Sequence, residues 1–103
     1  MIPLLEARRL SALFCGHKVK QTNYNTDRWY FFDRRGNILG EWTPDTNAEQ
    51  MAECMEAVID AGWDLNYRSS GCFINERSKY VCINVTLREC AMYAAAELQR
   101  RKG

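Results

Sequence analysis

The fold is decided by residues 29–42, which read WYFFDRRGNILGEW. Four consecutive aromatic residues at 29–32 favour a β-strand, and the turn-forming residues 33–37 predict a tight hairpin that returns as a second strand over 38–42. Because strand side chains alternate, both faces of the first strand are apolar, and we expect other elements to cover it on each side. Stacking of nucleic-acid bases on these rings is the alternative, which requires exposed rings among basic residues.

One helix is predicted on each side of this hairpin. The first covers residues 3–14 and ends before Gly16, a residue type that suits the position after a helix end; the polar stretch 18–27 then predicts a loop or a ragged strand. The second begins with a capping box, in which the side chains of Thr46 and Glu49 each satisfy a free backbone N–H. It ends at Gly62, and one face carries an apolar stripe: Met51, Cys54, Met55, Val58 and Ile59.

Further strands and a last helix follow. Residues 63–68 alternate apolar and polar, which predicts a half-buried strand, and residues 72–74 and 80–85 supply more strand, as one hairpin or two. A second capping box, Thr86 and Glu89, opens a final helix whose apolar stripe consists of Leu87, Cys90, Ala91, Ala94 and Leu98. The order α-β-β-α-β-β-α predicts one α+β domain over residues 1–103, a three-layer α/β/α sandwich around an antiparallel sheet of about four strands.

The cysteine spacing and the single histidine argue against an enzyme, a metal site or a cofactor. The chain is 47% hydrophobic and 26% charged, ordinary values for a globular protein. Its five cysteines include no Cys-x-x-Cys pair, so we expect all five to be reduced, with Cys15 the most exposed. The one histidine, His17, follows a helix end and has no evident orienting partner. We therefore predict no catalytic residue, no metal ligand and no cofactor.

The location of the protein is expected to be the cytoplasm. The first residues do not follow the pattern of a signal peptide, because Glu6, Arg8 and Arg9 come directly after a short apolar start. No apolar run approaches the roughly 20 residues that a membrane span requires. We therefore expect no membrane partner.

The residues around the hairpin resemble a known family. The hairpin carries Phe32-Asp33, Gly36-Asn37-Ile38, Gly40, Trp42 and Pro44-Asp45, and an alanine-containing helix that ends in Gly62-Trp63 follows it. Together with the stretch 16–19 and the alanine-rich last helix, this pattern resembles the phage ABA sandwich domain over nearly the whole chain. The resemblance implies a helix–sheet–helix fold and a small accessory protein of a phage or prophage. It implies no catalytic residues.

Charge is distributed unevenly along the chain. The whole sequence has 14 basic and 13 acidic residues, a net charge of +1. The segment 36–67 has no Lys or Arg and seven acidic residues, a local charge of −7, so the rest carries 14 basic against 6 acidic residues, or +8. On the second helix, Glu49, Glu53, Glu56 and Asp60 lie within about 60° of one another, opposite the apolar stripe.

An acidic helix face without lysines favours docking of a basic partner, because such a field accelerates association. Ordinary solvation of an outward face is the alternative explanation. The predicted partner-binding residues are Glu49, Glu53, Glu56, Asp60, Asp45 and Asp64. We expect a small non-enzymatic phage protein that binds a host protein in the bacterial cytoplasm. The specific version of this hypothesis is inhibition of a nucleic-acid-guided defence complex, as by an anti-CRISPR protein.

Two other functions stay open at this point. A nucleic-acid-binding protein would use basic residues spread along the chain: Arg8, Arg9, Lys18, Lys20, Arg34, Arg35 and the tail at 100–102. A self-associating structural protein would pair through an exposed sheet edge. The expected oligomeric state is a monomer or a homodimer.

Overall fold

A computed structural model describes residues 2–102 apart from 23, 25, 69, 70, 77, 78, 84 and 85. In chain order its elements are α1 (Leu4–Phe14), β1 (Val19–Lys20), β2 (Tyr30–Phe32), β3 (Ile38–Glu41), α2 (Ala48–Asp60), β4 (Asp64–Arg68), β5 (Gly71–Glu76), β6 (Lys79–Ile83), a 3₁₀ turn (Leu87–Glu89) and α3 (Cys90–Lys102). The predicted α+β class is confirmed. Among the described residues, no helix combines the length and the apolar character that crossing a membrane requires.

The described strands form two antiparallel sheets of three strands each, with the orders β1-β2-β3 and β4-β5-β6. The sequence predicted a single sheet of about four strands. β1 belongs to the polar stretch predicted as a loop or a ragged strand. It extends the hairpin to a third strand, with Val19 paired to Phe31 and Lys20 to Tyr30. Such pairing uses backbone N–H and C=O groups, which polar residues also possess, so the side-chain pattern did not reveal it.

The hairpin between β2 and β3 is closed by Asp33. Its carboxylate accepts hydrogen bonds from the backbone N–H groups of Asn37 and Arg35 at 2.9 and 2.8 Å. These bonds favour the charged form and hold the pKa of Asp33 below its ordinary value. Gly36 supplies the φ of +87° that the turn requires. The predicted hairpin is therefore confirmed.

The aromatic residues 29–32 are half-buried. Trp29 and Phe31 pack against the buried core. On the other face of the strand, the ammonium of Lys20 lies 5.7 Å from the centre of the Phe32 ring. One face of this strand thus has the cover that the sequence predicted, and the other is partly open to solvent.

Both predicted helix ends are confirmed. At the end of α1, the Gly16 N–H donates to the Leu13 carbonyl and the His17 N–H to the Ala12 carbonyl, the pattern of a Schellman motif. Gly16 adopts a φ of +83°, a value that a residue with a side chain reaches only at a cost. α2 ends in the same way at Gly62, with a φ of +90°. His17 and the start of β4 therefore leave their helices in defined directions.

α2 begins one residue later than the predicted capping box. The N-cap is Asn47 rather than Thr46, and its side-chain oxygen accepts a hydrogen bond from the Gln50 N–H at 3.0 Å. The Gln50 side chain reaches back to the preceding chain: it accepts from the Thr43 N–H at 2.6 Å and donates to the Glu41 carbonyl at 3.0 Å. These bonds bury a polar residue at the first turn of the helix.

The buried face of α2 is consequently rotated relative to the predicted stripe. The buried residues are Gln50, Cys54 and Val58. Met55 and Ile59, which the sequence placed in the apolar core stripe, are 41% and 57% exposed. The apolar pattern alone does not show that Gln50 takes a core position. The two side-chain hydrogen bonds of Gln50 hold this side of the helix toward the preceding chain.

Replacing Gln50 by leucine tests this anchoring. Leucine fills a similar volume but leaves the Thr43 N–H and the Glu41 carbonyl without their partners, and each such loss costs about 1–3 kcal/mol. We expect the free energy of unfolding, measured by urea titration, to fall by about 2–4 kcal/mol. Glu49→Gln, at the exposed neighbouring position, serves as the control and should change it by less than about 0.5 kcal/mol. Equal effects of the two substitutions would contradict the anchoring role.

α3 is the central element of the fold. Eight of its residues are buried, Cys90 to Ala96 and Leu98, so burial extends around the helix rather than along the single predicted stripe. α3 packs against α1 and α2 and against β4, β5 and β6. Its four alanines allow close approach of neighbouring backbones, which explains how one helix contacts so many elements.

Candidate functional site

The exposed side of α2 carries an apolar stripe beside an acidic stripe. We define the α2 outer face as six of the exposed residues of this helix: Glu49, Ala52, Met55, Glu56, Ile59 and Asp60. At about 100° per residue, the three apolar members lie within about 60° of one another and the three acidic members within about 40°, directly beside them. With a rise of about 1.5 Å per residue, the face is about 16 Å long. It offers a row of negative charge next to exposed apolar area.

The structure brings three of the six predicted partner-binding residues together on this face. Glu49, Glu56 and Asp60 are exposed, and none of them forms an ion pair with another described residue. Asp64 is also exposed but lies on β4, outside the helix. The remaining two predicted residues have partners within the chain.

Asp45 does not belong to an outward acidic surface, which corrects the sequence prediction. Its two carboxylate oxygens accept hydrogen bonds from the Arg8 guanidinium, both at 3.0 Å. The side chains are 10% and 16% exposed, respectively. This bidentate contact raises the pKa of Arg8 above its ordinary value. The carboxylate is thus neutralised by an arginine that lies 37 positions away in the sequence.

Glu53 is held by His17. The Nε2 atom of His17 lies 2.6 Å from a carboxylate oxygen of Glu53. The imidazole also packs against Phe31 and Trp42, with ring centres 5.2 and 5.0 Å away. Glu53 therefore connects α2 to the turn after α1. The sequence showed His17 as a residue beside a helix end and gave no sign of this aromatic and acidic environment.

Four of the nine basic residues proposed for nucleic-acid binding, Arg8, Arg9, Arg100 and Arg101, form ion pairs within the chain. Arg9 contacts Glu6, and Arg100 and Arg101 both contact Glu97. These hydrogen bonds hold the pKa values of Glu6 and Glu97 below their ordinary value of 4.5. A guanidinium already engaged by a carboxylate is less available to a phosphate. Together with the Arg8 pair, these contacts reduce the basic surface that the sequence suggested.

An open depression of about 510 Å³ lies beside the turn after α1 and the β2–β3 hairpin. Two basic residues, Lys18 and Arg34, line it together with Gly16, His17, Phe32, Asp33 and Leu39. Arg35 is exposed next to Arg34 on the hairpin. Basic side chains and an aromatic ring come together in this depression, a combination that suits an anionic ligand.

The described residues contain no group of three or more His, Cys, Asp or Glu side chains arranged to hold a metal ion. No family model matches the chain, and no curated protein and no solved structure is detectably similar to it. The candidate function therefore depends on the surfaces themselves. These surfaces can bind another molecule through electrostatic and apolar contacts.

Proposed function

We propose that the chain is a non-enzymatic binding protein that docks a basic segment of another protein on the α2 outer face. One observation carries this proposal: three exposed carboxylates without intrachain ion pairs among the described residues line one helix face beside the exposed Met55 and Ile59. A partner whose Lys or Arg residues alternate with apolar ones matches both stripes. Interface cores commonly combine apolar anchors with a charged rim in this way.

The acidic stripe has an energetic cost in the free protein. Glu56 and Asp60 are four residues apart, and like charges at this spacing destabilise a helix by about 0.2–0.5 kcal/mol. Asp60 also lies at the last residue of α2, where the helix dipole disfavours a negative charge. A basic partner removes both penalties on binding. Glu56 and Asp60 therefore stabilise the complex with a basic partner relative to the free protein.

A bacterial defence nuclease is the partner class that we propose for this surface. Nucleic-acid-guided nucleases bind their guide and target in positively charged channels, which an acidic helix of about 16 Å can enter. The anti-CRISPR type of activity and a phage or prophage origin are part of this proposal. The resemblance to the phage ABA sandwich domain and the three-layer arrangement that it implies are also part of this proposal.

Reversal of two charges on α2 tests the docking surface. Glu56→Lys/Asp60→Lys changes exposed side chains, and positive charge at this helix end is favourable, so the variant should fold. With a guide-loaded nuclease as the probe, we expect its association rate to fall at least about tenfold at low salt, with loss of inhibition of DNA cleavage. Biolayer interferometry and a cleavage assay measure the two effects.

The matched control reverses two positive charges on the β2–β3 hairpin. Arg34→Glu/Arg35→Glu also alters two exposed residues and should leave nuclease capture intact. Equal capture by the Glu56→Lys/Asp60→Lys variant and the unchanged protein would contradict docking on α2. Failure of the unchanged protein to bind or inhibit the nuclease would contradict the defence-inhibitor version.

A second candidate function is favoured by the depression that Lys18 and Arg34 line. We propose nucleic-acid binding there as the alternative use of the chain. Mobility shifts with single-stranded and double-stranded DNA and RNA measure it, and binding should weaken steeply with salt. The same two variants separate the candidates, because Arg34→Glu/Arg35→Glu would abolish the shift and the α2 variant would not. No shift at low salt would contradict this candidate.

A further inference from the structure

Two thiols from different helices meet beside the turn after α1. The Cys15 Sγ atom lies 3.8 Å from the Cys54 Sγ atom, within the distance of a thiol–thiol hydrogen bond. Cys15 is the C-cap of α1 and is half-buried, whereas Cys54 lies in the middle of α2 and is fully buried. A disulfide requires an S–S distance of about 2.05 Å, which the two sulfur atoms reach by moving less than 2 Å together.

From this contact we infer that Cys15 and Cys54 are a modification site: a thiol pair that a hydroperoxide converts into a reversible disulfide between α1 and α2. The sequence predicted reduced structural cysteines, and that state is the resting form in this proposal. The inference does not depend on the proposed docking function. It concerns the junction between two helices rather than the exposed face of α2.

The oxidation proceeds in two balanced steps. The Cys15 thiol takes one oxygen atom from the hydroperoxide, whose O–O bond breaks, and Cys15 sulfenic acid and an alcohol (water for hydrogen peroxide) result. The Cys54 sulfur then attacks the sulfenic sulfur. The S–S bond forms, the S–O bond breaks, and the hydroxyl group leaves as water with the Cys54 proton. A dithiol returns the pair to the reduced form by thiol–disulfide exchange.

The different environments of the two thiols set the order of these steps. Cys15 is accessible to a small oxidant, and Cys54 is not. The hydrogen bond between the two thiols, together with burial, raises the pKa of the Cys54 thiol and favours its neutral, less reactive form, so the oxidant attacks Cys15 first. Cys54 then meets an electrophilic sulfur at contact distance.

Tryptic peptides report the pairing without ambiguity, because each of the five cysteines falls in a different peptide. Cys15 lies in peptide 10–18 and Cys54 in peptide 36–68. The reduced full chain is treated with hydrogen peroxide, the free thiols are alkylated, and the digest is analysed by mass spectrometry without reduction. We expect peptides 10–18 and 36–68 to be cross-linked with the loss of two hydrogens, and the cross-link to disappear with dithiothreitol.

The cross-link should also stabilise the fold. It closes a loop between residues that are 39 positions apart, so we expect oxidation to raise the melting temperature by at least about 5 °C. Cys15→Ser preserves the shape of the side chain and should abolish both the cross-link and the oxidant-dependent rise. Formation of the cross-link with the same yield in denaturing urea, where all cysteines compete, would overturn the inference. So would alkylated Cys54 in the oxidised sample or a Cys15–Cys15 cross-link between two chains.

Discussion

We expect Trp42→Ala to lower the free energy of unfolding by about 3–5 kcal/mol, the usual cost of removing a large buried aromatic side chain. The Trp42 side chain is fully buried, and its ring contacts Phe31 and His17 at centroid distances of 5.3 and 5.0 Å. Its Nε1–H donates to the Ser11 hydroxyl at 3.0 Å. A domain of this size is stable by only about 5–15 kcal/mol, so the variant loses a large part of its margin.

Two milder substitutions separate the contributions of packing and hydrogen bonding. Trp42→Phe keeps an aromatic ring against Phe31 and His17 but removes the hydrogen bond to Ser11, and we expect a loss of about 1–2 kcal/mol. Ser11→Ala removes the same hydrogen bond from the other side. Urea titrations followed by circular dichroism measure all three variants. A loss below about 1 kcal/mol for Trp42→Ala would contradict its place in the core.

The second large effect concerns the buried ion pair. We expect Arg8→Met to lower the free energy of unfolding by about 3–5 kcal/mol, because the Asp45 carboxylate would stay buried without its counter-ion. The Asp45 side chain is only 10% exposed, so water cannot replace the lost arginine around its negative charge. Arg9→Met is the matched control: the side chains of Arg9 and Glu6 are 36% and 42% exposed, so the expected loss is about 0–1 kcal/mol.

A double-mutant cycle completes the test of this pair. Arg8→Met/Asp45→Leu removes both charges and leaves apolar side chains, so we expect it to regain most of the stability that Arg8→Met loses. Additive losses in the double variant would show that the two side chains act independently. Equal effects of Arg8→Met and Arg9→Met would contradict the buried character of the Arg8–Asp45 contact.

Local signals in the sequence predicted much of the fold. The glycines at 16 and 62 end helices with the expected left-handed backbone, and Asp33 closes the expected hairpin. These features depend on residues within one turn of each other. The N-cap was displaced by one residue because Asn47 and Thr46 are both good caps, and composition alone does not rank them.

Non-local contacts account for what the sequence did not reveal. The acidic pattern drew attention to α2, but it did not show that Arg8 neutralises Asp45 or that His17 holds Glu53. Both partners belong to a segment more than 30 positions earlier. The burial of Gln50 escaped notice for a related reason, because its partners are backbone groups that no side-chain pattern reports.

The central position of α3 has a consequence for how the chain is made. α1 and α2 pack against a helix that the ribosome synthesises after both of them, so their apolar sides have no lasting cover while residues 90–102 are still missing. Long-range closure of this kind slows folding, and the incomplete chain exposes hydrophobic surface that chaperones bind. We therefore expect folding of the nascent polypeptide to wait for α3, and a chain terminated upstream of residue 90 to be prone to aggregation rather than to form a smaller stable protein.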